Sequence, residues 1–421
     1  MDKKVSCKNG LKGTITIPAD KSVSHRAVMF SSLAKGKSVI KNFSNGQDPL
    51  STLKLFQQLG VNAQYQNADL IIDSTGTLSA PKTTLDCGNS GTTMRLVSGI
   101  LAGQNFNSVL TGDESLSKRP MKRIIEPLSL MGAKIESNDY KAPLKIFGTN
   151  LHGIDYTSKI ASAQVKSSIL LAGLFAEGET SVTEPSLSRN HTELMLSFMG
   201  ADIKTTGLKI TIKKSILEPK TIEVVGDISS AAFFIAAALI VPNSEIILKN
   251  VGLNPTRTGV IDVVKMMGGN IEILDERTVS NELVGDIKVA YSELKACKIS
   301  GDIIPRLIDE IPVVAVLATQ AEGTTIISDA QDLRNKESDR LSAISRELKK
   351  LGARIEETPD GLIIEGRIKL NGNCEIETYH DHRIAMSMYV AGLICEKEIL
   401  IKDFDWVDIS FPEFENLFST L

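Results

Sequence analysis

The chain has 421 residues, of which 42% are hydrophobic and 23% charged, and its formal net charge is −4. This composition is that of an ordinary soluble globular protein long enough for two or three domains. The small negative charge argues against a basic nucleic-acid-binding protein. The longest apolar run, residues 231–241, is too short for the ~20 residues that span a bilayer, which argues against a membrane protein.

The cysteines and histidines give no sign of a metal or a redox centre. Five cysteines are scattered without zinc or redox spacing, and the histidines lack ligand spacing apart from His380 and His382. The first ten residues have no apolar segment typical of a secretory signal. We therefore expect a cytoplasmic protein with reduced thiols, no metal and no cofactor.

A pattern that repeats six times organises the chain. Each copy contains an apolar helix rich in small residues, a tight turn and a β-branched strand. The copies begin near His25, Met94, Ser167, Ala231, Ile311 and Ile384. Because these helices are apolar on almost every face, they are predicted to be buried.

A second, amphipathic helix follows the first five copies and ends in Leu-Gly or Met-Gly before another strand. The glycines are Gly60, Gly132, Gly200, Gly268 and Gly352. Glycine just past a helix is the usual left-handed C-cap, and the alternating residues that follow favour a strand.

Six units of this size suit two domains of three units each, with helices inside and sheets outside. The natural boundary lies near Val225, Gly226 and Asp227, between the third and fourth units. The strands of "VSCKNGLKGTITIPA" precede the first unit and are expected to pair elsewhere.

Polar or charged residues stand at the start of every buried helix. The stretch "LDCGNSGTTMRL", residues 85–96, is typical of an anion-binding helix start, but no Gly-Lys-Ser/Thr follows, so it is not the nucleotide P-loop. Ser, Thr, Asp and Asn are good N-caps. Cations there oppose the helix dipole, so Lys21, Arg26, Arg95 and Arg383 indicate a bound anion.

Seven motifs in order along the chain resemble those of the 5-enolpyruvylshikimate-3-phosphate (EPSP) synthase family, and its second bacterial subgroup in particular. The motifs are "ADKSVSHRA", "GNSGTTMRL", "LSKRPM", "SAQVKSS", "IDEIPV", "KESDR" and "DHRIAM". The resemblance implies two inside-out α/β domains, each of three βαβαββ units, with the active site in the interdomain cleft. It also implies that residues 1–18 join residues 226–421, and that residues 19–225 form the other domain.

The resemblance further implies a reaction. The family transfers the enolpyruvyl group of phosphoenolpyruvate to the 5-hydroxyl of shikimate 3-phosphate and releases phosphate, in the shikimate pathway of aromatic amino-acid biosynthesis. Both substrates are small anions, which suits the clustered cations. No nucleic acid, membrane or cofactor is expected to take part, and the protein is expected to be a monomer.

Site residues are carried over from the family motifs. Those expected to contact shikimate 3-phosphate are Lys21, Ser22, Arg26, Ser162, Ala163, Gln164, Arg189, Asp309 and Lys336. Those expected to contact phosphoenolpyruvate are Lys21, Gly91, Thr92, Arg119, Gln164, Arg340, His382 and Arg383. The predicted catalytic groups are Asp309, as the base for the attacking hydroxyl, with Glu337 and Lys21 exchanging protons at carbon.

Simpler interpretations stay open for several of these residues. "KESDRLSAISRELKK" by itself is typical of a solvated helix with ion pairs. The acidic pair before Pro312 is compatible with a plain helix start. His382 is compatible with a structural hydrogen bond.

Two positions depart from the family pattern. Ile409 stands where many members have a lysine that contacts phosphoenolpyruvate. Asp332 stands where some members have an asparagine that contacts the shikimate phosphate, and we do not extend that role to it.

Two other functions are considered. One is the related enolpyruvyl transferase that acts on UDP-N-acetylglucosamine, which typically has Lys-Asn in the first motif and a cysteine near the second-unit arginine. This chain has Lys-Ser, and no cysteine between Cys87 and Cys297. The other is a non-catalytic anion-binding paralogue, against which the retention of both Asp309 and Glu337 argues.

Overall fold

A computed structural model describes residues 1–421. The chain divides into two compact units. The discontinuous unit contains Met1–Pro18, Gly226–Thr278 and Leu283–Leu421. The inserted unit contains Ala19–Val225 and Val279–Glu282.

Fourteen α-helices occur along the chain. They are α1 Lys21–Leu33, α2 Gln47–Gln58, α3 Gly91–Ala102, α4 Glu114–Lys118, α5 Lys122–Leu130, α6 Ala163–Gly173, α7 His191–Phe198, α8 Ile228–Ile240, α9 Gly259–Met266, α10 Ile304–Leu307, α11 Ile311–Gln320, α12 Arg340–Lys350, α13 His382–Gly392 and α14 Phe414–Ser419. Three 3-10 helices complete the set: Gly301–Ile303, Gln331–Asn335 and Phe404–Ile409.

Twenty-three strands accompany these helices. In the first half of the chain they are β1 Lys3–Val5, β2 Lys12–Thr16, β3 Lys35–Lys41, β4 Asn62–Gln66, β5 Asp69–Thr75, β6 Leu85–Asp86, β7 Ser108–Thr111, β8 Lys134–Asn138, β9 Lys141–Phe147, β10 Asp155–Thr157, β11 Glu179–Thr183, β12 Ile203–Thr206, β13 Lys209–Lys213 and β14 Thr221–Glu223. In the second half they are β15 Glu245–Gly252, β16 Asn270–Val279, β17 Glu282–Ala290, β18 Lys298–Ile299, β19 Thr324–Ile327, β20 Arg354–Thr358, β21 Gly361–Glu365, β22 Glu375–Ile376 and β23 Ile399–Ile401.

A four-stranded sheet recurs in five of the six repeat units, and the sixth has the three-stranded sheet β1-β23-β22. In the second unit the order is β6-β7-β9-β8, with β6 parallel to β7 across the buried helix α3 and an antiparallel β8–β9 hairpin following α5. The third and fifth units repeat this arrangement as β10-β11-β13-β12 and β18-β19-β21-β20. This is the predicted βαβαββ unit. Its parallel pair needs a crossover connection, which the buried helix provides.

The remaining units complete their sheets with strands from distant parts of the chain. In the first unit, β14 from the end of the third unit pairs parallel with β3. In the fourth unit, β2 pairs parallel with β15, and in the sixth, β1 pairs antiparallel with β23. The prediction that the first strands pair outside unit one is confirmed.

The first helix of each unit is buried, as predicted. All residues of α8 except Ser230 are buried, and so are all eleven residues of α13. The five predicted C-cap glycines adopt positive φ angles between 76° and 92°. These angles fall in the left-handed region, where a side chain would be strained. No helix combines the length and the apolar character needed to cross a bilayer.

Candidate active site

Short polar residues cap five of the six buried helices. Their side chains accept a backbone N–H of the first helical turn, as the capping interpretation predicted. The caps are Asp20, Ser90, Ser162, Asp227 and Asp381. Capping therefore accounts for the acceptors at these helix starts but not for the neighbouring cations.

In the inserted unit, Arg26 is almost fully buried, with 2% of its surface exposed. Its Nε donates to Thr192 Oγ1 at 2.7 Å, and its Nη1 donates to the Ser22 carbonyl at 3.0 Å. Burial lowers the pKa of the Arg26 guanidinium to about 10, and the negative charge of Glu193 opposes that shift. Arg189 is close enough for its positive charge to lower the same pKa further. The carboxylates of Glu193, Asp20 and Glu282 raise the same pKa, so Arg26 is a buried cation among charges of both signs.

Lys21, the first residue of α1, is held by a carboxylate that the sequence analysis missed. Its Nζ lies 3.1 Å from Asp48 Oδ2, and both side chains are mostly buried. Asp48 is the second residue of α2. Nothing in "NGQDPL" suggests this role, because the contact depends on how α1 packs against α2.

A polar chain links α3 to α6 within the inserted unit. Arg95 Nη1 donates to Gln164 Oε1 at 2.6 Å, and Gln164 Nε2 donates to Thr92 Oγ1 at 3.1 Å. A methyl group on Gly91 would lie 3.0 Å from Arg95 Nη1 and 3.5 Å from Arg119 Nη1. The structure therefore brings together four residues predicted to contact phosphoenolpyruvate: Gly91, Thr92, Arg119 and Gln164.

Arg119 follows α4 and is itself oriented by hydrogen bonds. Its Nη2 donates to Asn89 Oδ1 at 2.9 Å and to Ser115 Oγ at 3.3 Å. Asn89 belongs to the "GNSG" turn, so this turn supports the guanidinium as well as leading into α3. Ser162 and Ala163 lie at the other end of the polar chain, where α6 begins.

In the discontinuous unit, Arg340 is surrounded by three carboxylates. It lies 2.8 Å from Asp381 Oδ2, 2.6 Å from Glu337 Oε2 and 3.2 Å from Asp309 Oδ1, and only 1% of its side chain is exposed. Burial alone would lower its pKa, but the charges of Asp381, Glu337 and Asp309 raise the pKa of the guanidinium above its usual value. Arg340 is therefore permanently charged and fixes the two predicted catalytic carboxylates.

Lys336 and Arg383, two of the remaining predicted residues of this unit, contact Asp309. Lys336 Nζ lies 3.4 Å from Asp309 Oδ1, and Arg383 Nη1 donates to the Asp309 carbonyl at 3.2 Å. His382 begins α13 and is 3% exposed. Asp309, Lys336, Glu337, Arg340 and Arg383 thus form one connected group of acid–base and cationic side chains.

Asp381 is a second residue that the sequence analysis did not assign to the site. Besides binding Arg340, it accepts the Arg383 N–H at 2.9 Å and the Ser338 hydroxyl at 3.0 Å. Arg340 lowers the pKa of the Asp381 carboxyl against the opposing effect of burial, so the group is charged. Its place in "DHR" was the available signal, because an acidic N-cap beside an arginine pairs readily with a second cation.

The interpretation of "KESDRLSAISRELKK" as a solvated helix is wrong. Of its charged residues, Arg340 and Glu347 have side chains that are 1% and 0% exposed. Glu347 accepts the Tyr379 hydroxyl at 2.6 Å and the Glu377 N–H at 3.0 Å. The segment 336–339 precedes the helix, which begins at Arg340.

The two departures from the family pattern are also located. Ile409 is the last residue of the 3-10 helix Phe404–Ile409 and is half-buried. Asp332 lies in the 3-10 helix Gln331–Asn335.

Comparison with known proteins identifies the family of the chain. The model of the EPSP synthase (3-phosphoshikimate 1-carboxyvinyltransferase) family matches residues 5–418. The chain belongs to this family.

Its relatives carry the same description. A 3-phosphoshikimate 1-carboxyvinyltransferase from Thermoanaerobacter sp. (strain X514) is 54% identical over 424 residues, which is 100% of both chains. One from Bacillus licheniformis is 51% identical and covers 96% of each chain. The structure of the EPSP synthase from Acinetobacter baumannii superimposes with a TM-score of 0.89 at 45% identity, covering 100% of this chain and 98% of that one. The predicted fold class and family are confirmed.

Proposed function

We propose that the protein transfers the enolpyruvyl group of phosphoenolpyruvate to the 5-hydroxyl of shikimate 3-phosphate and releases phosphate. Family membership over nearly the whole chain and full-length relatives of about 50% identity support this reaction. They do not favour transfer to UDP-N-acetylglucosamine. The observation that carries the catalytic assignment is the contact of Asp309 with both Lys336 and Arg340.

In the first step, Asp309 accepts the proton of the 5-hydroxyl as the hydroxyl oxygen bonds to C2 of phosphoenolpyruvate. The methylene C3 gains a proton and becomes a methyl group, which leaves a tetrahedral adduct that still carries phosphate. Lys336 and Arg340 keep the Asp309 carboxylate oriented towards the hydroxyl. A positioned base of this kind contributes about 10²–10⁴-fold to the rate.

In the second step, the adduct loses phosphate and a methyl proton, and the enol ether of the product forms. We assign the proton exchange at carbon to Glu337 and Lys21. Each is held in place by an ion pair, Glu337 with Arg340 at 2.6 Å and Lys21 with Asp48 at 3.1 Å. These contacts support the assignment because proton transfer depends on a fixed geometry.

Stabilisation of negative charge on the substrates supplies the rest of the rate enhancement. We propose that Arg119, Arg340, Arg383 and His382, with Gly91, Thr92 and Gln164, bind phosphoenolpyruvate. Four of the five N–H groups of Arg340 already bind carboxylates, through Nε, Nη1 and both positions of Nη2. Arg340 therefore has a single Nη1 N–H left to donate to the substrate. Arg119 and Arg383 are proposed to supply most of the stabilisation of the substrate's negative charge.

Shikimate 3-phosphate has its own set of contacts. We propose that Lys21, Ser22, Arg26, Ser162, Ala163, Gln164 and Arg189 bind it from the inserted unit, and Asp309 and Lys336 from the discontinuous unit. The start of α6 supports this assignment, since Ser162 caps the helix and Gln164 in its first turn is oriented by Arg95 and Thr92.

The test is the release of inorganic phosphate from phosphoenolpyruvate with three acceptors. Shikimate 3-phosphate should support turnover, while UDP-N-acetylglucosamine and water should not. Turnover with UDP-N-acetylglucosamine alone would replace the proposed function with the related one, and no turnover with either acceptor would favour a non-catalytic paralogue.

A pair of variants connects this activity to the proposed site. Glu337→Gln should lower turnover at least about 10²-fold. Its control is Asp339→Asn, two residues away, which caps α12 and has a side chain that is 39% exposed. Equal activities of the two variants would remove Glu337 from the mechanism.

We also propose that the protein works as a monomer in the cytoplasm. Both substrates are phosphorylated, multiply charged metabolites, and such ions do not cross membranes unaided. A single chain would need no residue from a second protein molecule, because it contains both sets of proposed substrate-binding residues. Light scattering after size-exclusion chromatography tests the monomer, and fractionation of the native cell tests the location.

A further inference from the structure

Lys166 is a buried lysine in the "SAQVKSS" segment, two residues after Gln164. Only 1% of its side chain is exposed. Its Nζ lies 2.7 Å from Glu184 Oε2, 2.8 Å from Glu193 Oε1 and 3.5 Å from the Ser188 carbonyl oxygen. An ammonium group has three N–H donors, and these three acceptors match them. Although Lys166 follows residues proposed to bind phosphate, it does not itself face a substrate.

These four residues form a buried group that we call the Lys166 cluster: Lys166, Glu184, Ser188 and Glu193. Ser188 Oγ also donates to Glu184 Oε1 at 2.5 Å. Lys166 belongs to α6, Glu184 and Ser188 to the loop after β11, and Glu193 to α7. The cluster therefore joins three separate segments of the inserted unit at one ammonium nitrogen.

Each of these segments carries proposed contacts of shikimate 3-phosphate. The first turn of α6 contains Ala163 and Gln164, and its cap is Ser162. The loop after β11 contains Arg189, the neighbour of Ser188. A shift of the cluster would move both groups together.

The same cluster supports Arg26. Arg26 Nη2 donates to Ser167 Oγ at 3.1 Å and Nε donates to Thr192 Oγ1 at 2.7 Å. Ser167 and Thr192 are the chain neighbours of Lys166 and Glu193, and their hydroxyls lie 2.6 Å apart. The hydroxyl pair thus connects the guanidinium to the cluster from both sides.

The cluster also acts on Arg26 through charge. Lys166, Glu184 and Glu193 together carry one negative charge, and Glu193 raises the pKa of the Arg26 guanidinium against the opposing effect of burial. A buried charge without compensation is costly, so this negative charge favours the charged form of Arg26. The cluster therefore stabilises a buried, charged Arg26 at the place proposed for the substrate dianion.

We propose that Lys166 is a positioning residue that sets the affinity for shikimate 3-phosphate without touching it. It holds the start of α6, the Arg189 loop and Arg26 in one arrangement that fits the dianion. This inference rests on the proposed function, because it concerns residues proposed to bind that substrate. Loss of the cluster should weaken shikimate 3-phosphate binding and leave the chemistry of the bound complex almost unchanged.

Two variants test the role. Lys166→Met leaves two buried carboxylates without their cation, which is strongly destabilising and threatens the fold. The double variant Lys166→Met/Glu193→Gln removes one charge of each sign and keeps the Ser188–Glu184 hydrogen bond, so it is the one that must be measured. Ile210→Ala is the control: Ile210 lies in β13 of the same unit, is 1% exposed and takes no part in the cluster.

The measurements are the Kd of shikimate 3-phosphate by calorimetry without phosphoenolpyruvate, followed by KM and kcat. The double variant should raise the Kd and the KM for shikimate 3-phosphate at least about tenfold, because small displacements of binding groups are amplified in this way. Its kcat at saturating substrate should stay within about threefold of wild type. Ile210→Ala should lower the melting temperature and leave the Kd unchanged.

The outcomes separate the two proposals. If wild type binds shikimate 3-phosphate and the folded double variant binds it equally well, Lys166 has no positioning role. If Ile210→Ala raises the Kd for shikimate 3-phosphate as much as the double variant does, the effect reflects general stability and Lys166 has no specific positioning role. If wild type neither binds nor turns over shikimate 3-phosphate, the proposed function itself is overturned.

Discussion

Removal of the Asp381 carboxylate should strongly destabilise the discontinuous unit, since this group performs two tasks. It is fully buried and accepts two hydrogen bonds from Arg340, at 2.8 and 3.2 Å. It also caps α13 by accepting the Arg383 N–H at 2.9 Å. Asp381→Ala would leave a buried guanidinium with fewer anions and a helix without its cap.

The cost follows from these contacts. Breaking a buried ion pair by removing one partner typically costs about 3–5 kcal/mol. Loss of an N-cap costs about 1 kcal/mol. Arg340 keeps its contacts with Glu337 and Asp309, so the cost of breaking its ion pair with Asp381 should fall at the lower end of this range. We expect Asp381→Ala to lower the free energy of unfolding by about 4 kcal/mol, or about 8–16 °C in melting temperature.

The assay is urea unfolding followed by the fluorescence of Trp406, the only tryptophan of the chain. Trp406 stacks on His380 with ring centroids 4.7 Å apart. Because His380 immediately precedes Asp381 in the chain, the tryptophan fluorescence reports on the same unit. The matched control is Asp339→Ala, which removes the cap of α12 from a half-exposed side chain. It should cost about 1 kcal/mol. Equal losses in the two variants would refute the claim that the buried charge dominates.

Three further predictions concern single residues. Asp309→Asn should keep the fold and substrate binding and lower phosphate release at least about 10²-fold; normal turnover would remove Asp309 as the base. Gly91→Ala places a methyl group 3.0 Å from Arg95 Nη1. It should raise the KM for phosphoenolpyruvate and, more strongly, the inhibition constant of glyphosate, a larger phosphonate inhibitor that resembles phosphoenolpyruvate, by about tenfold or more. Unchanged constants would place Gly91 outside the proposed phosphoenolpyruvate site. Burial holds the pKa of His25 well below 6.5. The unfolded chain therefore takes up a proton that the folded chain excludes, and stability is complete above pH 6.5 and lost below it by about 1.4 kcal/mol per pH unit. Melting curves at pH 7.5 and 5.5 should show a smaller loss for His25→Gln than for wild type; equal losses would contradict this.

Helices, caps and repeats could be predicted because their signals are local. A helix that is apolar on all faces, followed by a C-cap glycine and a β-branched strand, is visible within about 30 residues. The six buried helices and the five positive-φ glycines illustrate this. The family motifs could be identified for the same reason, since each occupies a few consecutive residues.

Side-chain partners that are distant in sequence could not be predicted in this way. Asp48 lies 27 residues from Lys21, and Asp381 lies 41 residues from Arg340, yet each pair makes an ion contact. Such pairs depend on how helices pack, and no spacing rule links the two residues. Glu347 is a case in which the local pattern gave a wrong prediction. As a charged residue in a polar helix it was expected to be exposed to solvent, but it is buried against Tyr379.

The pairing of the first two strands with strands far along the chain has a consequence for synthesis on the ribosome. Strands β1 and β2 leave the ribosome first, but their partners β23 and β15 begin at residues 399 and 245. The three sheets of the inserted unit use only strands between residues 35 and 223, so they can all form while β1 and β2 still wait. Unpaired strand edges are prone to wrong pairing. The short β1 and β2, which contain three lysines among eight residues, limit that risk through charge until their respective partners have been made.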